Sequence, residues 1–184
     1  SEAADWSMVN SSRARIFCVL PGNYESESVV LTTSGRSNQP RYLIYHDPDQ
    51  AADPDTHPAV MSSAQQATIQ QLRIEGAEYW VIDRIRIAGS PDENRIQGIV
   101  EEGTFSPSQH NILNRLLIEE TLNDGLVIYE GCHHNTIQQS VIRRMVIASG
   151  EEYVGILLSP NGGGTATGGD GSAEIFGTRI INNE

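Results

Sequence analysis

The 184-residue chain contains no lysine: all twelve cationic side chains are arginines, set against twenty-four acids for a formal charge of −12. With no basic stripe to meet a phosphate backbone, nucleic acid is excluded as a partner class. The absence of lysine also closes every mechanism that needs a lysine base within this chain. Cysteine is nearly absent. Cys18 and Cys132 lie far apart and form no CxxC pair, so they read either as two buried thiols or as one disulfide. No apolar run reaches the length of a membrane span. No helix-length amphipathic pattern separates the apolar stretches, which argues against a doubly wound α/β fold. The opening SEAADW suits a mature end left by signal removal, so a secreted or periplasmic location is expected.

What the chain does contain is a repeat. The stretches QGIVEEG (97–103), DGLVIYEG (124–131) and VGILLSP (154–160) each place a glycine before a short apolar run. Their glycines, Gly98, Gly125 and Gly155, recur at intervals of 27 and 30 residues. A second signature follows: HNILNRLLI (110–118), HNTIQQSVI (134–142) and a looser AEIFGTRII (173–181), with YWVIDRIRI (79–87) as an earlier copy. In that alignment Ile82, Leu113, Ile137 and Phe176 form one column, and Ile87, Ile118, Ile142 and Ile181 another. Runs of three to five residues between polar corners cannot bury an apolar face alone. Stacked at the strand spacing of roughly 4.8 Å, each pairs with its equivalents above and below, and matching side chains form interior ladders. The expected fold is all-β: a single-stranded right-handed parallel β-helix, or β-solenoid, with a short N-terminal cap.

The glycine strands and N-x-I corners resemble the right-handed parallel β-helix superfamily of pectate lyases and related polysaccharide-degrading proteins. The opening VLPGNYESESVVLTTSGRSNQPRYLIYHD (19–47) adds to this: its PGNY is similar to that family's first GTY turn, and its SGRSNQPRYLIY to the strand that follows. QQLRIEGAEYWVIDRIRI (70–87) resembles the next rungs, so the likeness runs from about Arg15 onward. One β-helix domain over 1–184 is expected, with 1–14 as the cap, Trp6, Met8 and Val9 covering the first rung, and loop excursions at 46–58 and 159–172. The final RIINNE (179–184) aligns with LLIEET (116–121), so the chain stops inside a corner. That end is expected to continue in a longer β-helix, or to be covered end to end or laterally by another chain.

Several side chains are candidates for a site. Arg84 and Arg115 align, and Arg86 lies two residues beyond Arg84; if Ile85 and Ile87 point inward, these arginines point out. Guanidinium forks bind carboxylates in two-point geometry, as an acidic sugar requires; the same forks could equally pair with Glu119 or Glu120. Glu101, Glu102 and Asp124 flank the glycine strands and are the candidate metal ligands. His110 and His134, beside Asn111 and Asn135, occupy equivalent corners, near enough to stack or to share an ion, while His133 is expected to face solvent. The glycine-rich 162–169 is followed by a strand pattern rather than a helix, so it reads as a surface loop or a lid.

The resemblance implies a polysaccharide-lyase-like activity on a uronate-containing polysaccharide, with calcium as the implied cofactor and lysine or arginine as the usual base. Here the base would have to be an arginine or a histidine. A second class stays open. Val100, Val127 and Leu157 should face outward as an apolar stripe, opposite inward Ile99, Leu126 and Ile156. Such a stripe suits a non-catalytic structural, adhesive or self-assembling solenoid.

Overall fold

A computed structural model describes residues 6–11, 13–49, 55–101, 104–122, 124–129, 131–144, 155–159 and 177–183. The chain is nearly all β, and its strands build two parallel sheets by repeated passes. The first pass is β1 (Ile16–Val19) and β2 (Gly22–Leu31); the second is β3 (Arg41–Tyr45) and β4 (Ala67–Glu75). The third is β5 (Trp80–Asp83), β6 (Arg86–Ala88) and β7 (Asn94–Gln97). A hairpin of β8 (Ile99–Glu101) and β9 (Thr104–Ser106) follows. The fourth pass is β10 (Ile112–Asn114), β11 (Leu117–Glu119) and β12 (Leu126–Tyr129). The fifth is β13 (Thr136–Gln138), β14 (Val141–Arg143) and β15 (Ile156–Ser159), and β16 (Arg179–Ile181) comes last. Among the described residues the first sheet runs β1-β3-β5-β10-β13-β16, in chain order. In the second, β4 pairs with β2 along one edge. Its other edge meets β6 with its first half and β7 with its second. The strands β2 and β4 therefore run straight through the place where later passes turn.

Alternation explains the interior. In β3, RYLIY is buried at every second residue. Phe17, Leu43, Ile82, Leu113, Ile137 and Ile180 share one register column, and Ile69, Ile87, Ile118 and Ile142 another. One apolar cluster runs from Val9 to Ile137. The expected stacks hold through three passes and then shift: Phe176 lies outside the described residues, Ile180 occupies its place, and Ile181 pairs with Gln138 in the first sheet. The alignment of 179–184 with 116–121 is corrected in the same way, since Arg179–Ile181 belongs beside β13 rather than beside β14.

The strand QGIVEEG is also reassigned. The residues in register with Leu126 and Ile156 are led by Asn94, whereas Ile99–Glu101 pairs antiparallel with Thr104–Ser106. The hairpin seats Phe105 against Gly131, where a Cβ would fall 2.5 Å from its ring. Leu126 and Ile156 point inward and Val127 and Leu157 share an outward column as expected, but Arg95 stands in that column in place of Val100.

The corners use left-handed backbone in columns. Tyr79, His110, His134 and Gly177 form one such column (φ 58, 59, 56 and 65°); Arg84, Arg115, Gln139 and Asn182 form a second (φ 58, 51, 51 and 49°). Non-glycine residues pay for this conformation, and buried amide ladders hold it in place. Asn111 accepts from Trp80 N–H at 3.0 Å and donates to Ala77 O at 3.0 Å; Asn135 accepts from Asn111 N–H at 3.1 Å and donates to Ser108 O at 3.1 Å. Both asparagines are fully buried. Ser140 and Asn183 serve the second corner, accepting from Leu116 N–H and Ser140 N–H respectively.

A short 3-10 helix, Trp6–Asn10, covers the first pass, with Val9 buried and Trp6 packed on the core, while Met8 is exposed rather than covering it. Arg41 fastens this cap. Its Nη2 donates to Val9 O at 2.6 Å and Ser11 O at 2.8 Å beneath the Trp80 ring, and burial lowers its pKa. The described part of 46–58 carries no strand, as expected of an excursion. Cys18 is exposed and Cys132 buried, and both are free thiols, so the disulfide alternative falls.

Candidate functional site

The arginines singled out in the sequence belong to two separate networks. Arg84 and Arg115 occupy equivalent corner positions, and Asp83 lies between them. Its carboxylate accepts from Arg115 Nε at 2.9 Å and Nη2 at 2.7 Å, from Arg84 Nε at 3.2 Å and from Asn114 Nδ2 at 2.7 Å. The Arg84 guanidinium also lies over the Tyr45 ring. Arg86 stands on the second sheet, beyond the corner, and does not share a strand face with Arg84. Its Nε donates to Glu119 at 2.9 Å, and Arg143 Nε reaches the other oxygen at 3.0 Å. Burial alone would push the Glu119 carboxyl up. Hydrogen bonds and charge from Arg143 and Arg86 outweigh it and hold the group below the usual carboxylate range. These forks clasp the protein's own acids.

Of the metal candidates, Asp124 is half-buried just before β12 and Glu101 belongs to the hairpin strand. The Glu101 side chain and all of Glu102 lie outside the described residues. Among the described residues no three histidine, cysteine, aspartate or glutamate side chains converge as metal ligands. At the histidine corner the expected ladder is present. Tyr79 and His110 stack at 4.9 Å and His110 and His134 at 5.0 Å, with His134 the exposed residue and His133 half-buried, the reverse of the expectation for His133.

A third cluster, on the outer face of the second sheet, went unseen in the sequence. Arg73 and Arg95 are register partners on adjacent strands, and so are Glu75 and Gln97. Glu75 forms an ion pair with Arg73, accepts from Gln97 Nε2 at 3.1 Å and lies 3.8 Å from Arg95 Nε. Glu93, at the entry to β7, accepts from the Tyr129 hydroxyl at 2.7 Å, with Arg95 Nη1 3.9 Å away. Among the described residues neither Arg73 Nε nor Arg95 Nε has a hydrogen-bond partner. Burial, and then the hydrogen bond shared with Asp92, push the Glu93 carboxyl above its ordinary range against the opposing pull of Tyr129. Burial and then Glu93 push the Tyr129 phenol up to about 12. The cluster thus holds two in-register guanidinium groups, one carboxyl of raised basicity and one phenol that stays protonated at neutral pH. A ligand carboxylate could bridge the two guanidinium groups while a carbon-bound proton faces Glu93. The sequence carries a signal for this cluster in RIEG (73–76) and RIQG (95–98), a repeat of 22 residues.

Comparison with protein-family models, with curated proteins and with solved structures returned no match.

Proposed function

We propose that the protein is a secreted right-handed parallel β-helix, similar to the pectate-lyase-like superfamily, that binds and cleaves an acidic, uronate-containing polysaccharide. The observation that carries this reading is the in-register Arg73–Arg95 pair beside the Glu93–Tyr129 hydrogen bond. The two guanidinium groups neutralise the uronate carboxylate, which acidifies the proton on the adjacent C5 carbon. Glu93 takes that proton. The electron pair forms the C4–C5 double bond, the C4–O bond breaks, and the leaving oxygen takes the Tyr129 hydroxyl proton. Glu93, 2.7 Å away, then returns its proton to the phenolate. No lysine is needed, and Arg84, Arg86 and Arg115 remain structural. Calcium, which the resemblance implies, favours six to eight oxygen ligands; Glu75 and Glu93 are instead flanked by Arg73 and Arg95, which repel a divalent cation. These residues do not fit calcium.

The test is incubation with a panel of uronate polymers, following unsaturated products by ultraviolet absorbance. Tyr129→Phe is expected to keep binding and lose turnover, and Arg95→Gln to weaken binding. A parent protein that binds none of the polymers sinks the reading. Weight then passes to a self-assembling or adhesive scaffold, which one observation favours: the edge strand β1 and the cap expose Ile16 (61%), Met8 (53%) and Leu20 (48%).

A further inference from the structure

The histidine corner offers a different chemistry, independent of the uronate reading. His133 and His134 are chain neighbours whose rings stand nearly perpendicular, at 84°, with their Nδ1 atoms 2.8 Å apart. Two bare nitrogen lone pairs do not rest at that distance; a proton or a metal cation must sit between them or beside both. The distance discriminates among cations. Two nitrogens bound at about 2.0 Å and at a right angle stand about 2.8 Å apart, whereas a tetrahedral angle separates them by about 3.3 Å. The right angle is the preference of copper(II) and nickel(II), and copper(II) is the tighter binder of the two.

The corner is also built rather than loose. His134 is held at φ 56° by the column it shares with Tyr79 and His110, and its ring stacks on His110 at an interplanar angle of 17°. On its other side lies Gly177, where a Cβ would meet the ring at 2.7 Å; only a glycine leaves the imidazole this room. The next residue, Asn135, is fully buried and bonded to Ser108 and Asn111, so the backbone carrying both histidines is pinned from within. His133 has its pKa lowered, first by burial and then by the charges of His134 and His110, which keeps its ring in the neutral form a metal requires. Glu78 and Gln109 occupy the corner positions in register with His133, and Glu78 supplies negative charge facing it. Preorganised neutral donors at a fixed bite are what separate a site from a chance pair of side chains.

We propose that His133 and His134 form a two-nitrogen copper(II) site through their Nδ1 atoms, with water completing the square plane and His110 as a positioning residue that holds the His134 ring by stacking.

The test uses the whole chain free of any histidine tag, titrated with copper(II) chloride and followed by calorimetry and electron paramagnetic resonance. One equivalent is expected to bind with a tetragonal spectrum showing coupling to two nitrogens. His133→Gln and His134→Gln should each weaken binding at least tenfold, and His46→Gln, remote from the corner, should leave it unchanged. His110→Phe, which keeps a stackable ring, should retain the site, while His110→Ala should weaken it. If the glutamine variants do not fold, the number of coupled nitrogens in the parent spectrum decides alone. A spectrum without two coupled nitrogens, or binding that survives in the folded His133→Gln/His134→Gln protein, would overturn the proposal and leave the pair as a proton-sharing hydrogen bond.

Discussion

Asn111 lies directly above Asn135, its Nδ2 donating to the Asn135 Oδ1 at 3.1 Å, and each amide also binds the backbone of a neighbouring pass. The pair replaces water for main-chain groups that the left-handed corners leave without partners. Asn111→Ala strips the Trp80 N–H of its acceptor and the Ala77 carbonyl of its donor, both inside the core. A loss of about 2–4 kcal/mol is expected on urea unfolding, since each orphaned buried group costs about 1–3 kcal/mol. Asn114→Ala removes an outward amide and should cost far less. Equal losses for the two would show that the buried ladder has no special part in stability.

Ile137 and Ile180 occupy the same interior column, yet Ile137 is 1% exposed and Ile180 48%. Truncating Ile137 to alanine should cost about 2–5 kcal/mol through lost burial and the cavity it leaves. Ile180→Ala should cost under about 1 kcal/mol, because a half-exposed side chain has less to lose. Chemical denaturation of both variants checks the ratio, which depends on burial and not on residue type.

The two perturbed carboxyls should shape the acid limb of stability in opposite directions. The folded pKa of Glu119 lies below its unfolded value. Its contribution is complete above that unfolded value and disappears as pH falls through the folded one. For Glu93 the folded value lies above the unfolded one, so its ionisation costs stability as pH rises through the carboxylate range into neutrality. Thermal melts from pH 3 to pH 7 should show Glu119→Gln lowering the midpoint at pH 7 and converging with the parent in acid. Glu93→Gln, which can still accept from Tyr129, should raise the midpoint at pH 7. A Glu93→Gln protein less stable than the parent at neutral pH would contradict the assigned direction.

The stacks through Ile82, Leu113 and Ile137 and through Ile87, Ile118 and Ile142 were legible because successive copies differ little in length and carry the same apolar residue at the same offset. The frame slipped where insertions intervened. The glycine-rich segment before Arg179 admits more than one offset, and a phenylalanine looked as good an interior residue as Ile180. Gly98 was grouped with Gly125 and Gly155 for its IV dipeptide, although RIQG (95–98) repeats RIEG (73–76) and sets the true register. That slip hid the outer-face cluster as well. Glu93 and Tyr129 are 36 residues apart, and only the correct register brings them together. The roles of Arg84, Arg86 and Arg115 were undecidable from spacing alone, because an outward arginine beside an acid suits a bound sugar and an internal ion pair equally.

The hairpin β8–β9 changes what this architecture can accommodate. Trp80 and Asn111 are 31 residues apart and Asn111 and Asn135 only 24, yet both pairs meet through the same amide-to-backbone geometry. The extra length leaves after Gln97 and returns before Ser108, whose hydroxyl donates to Gln97 O at 2.6 Å and clamps the two ends together. The corner therefore behaves as a docking port: whatever lies between Gln97 and Ser108 can be exchanged without informing the ladders on either side. A foreign loop grafted there would be displayed beside Glu75 and Gln97 on a frame indifferent to its sequence, so new specificity could be selected at this edge without reopening the problem of folding.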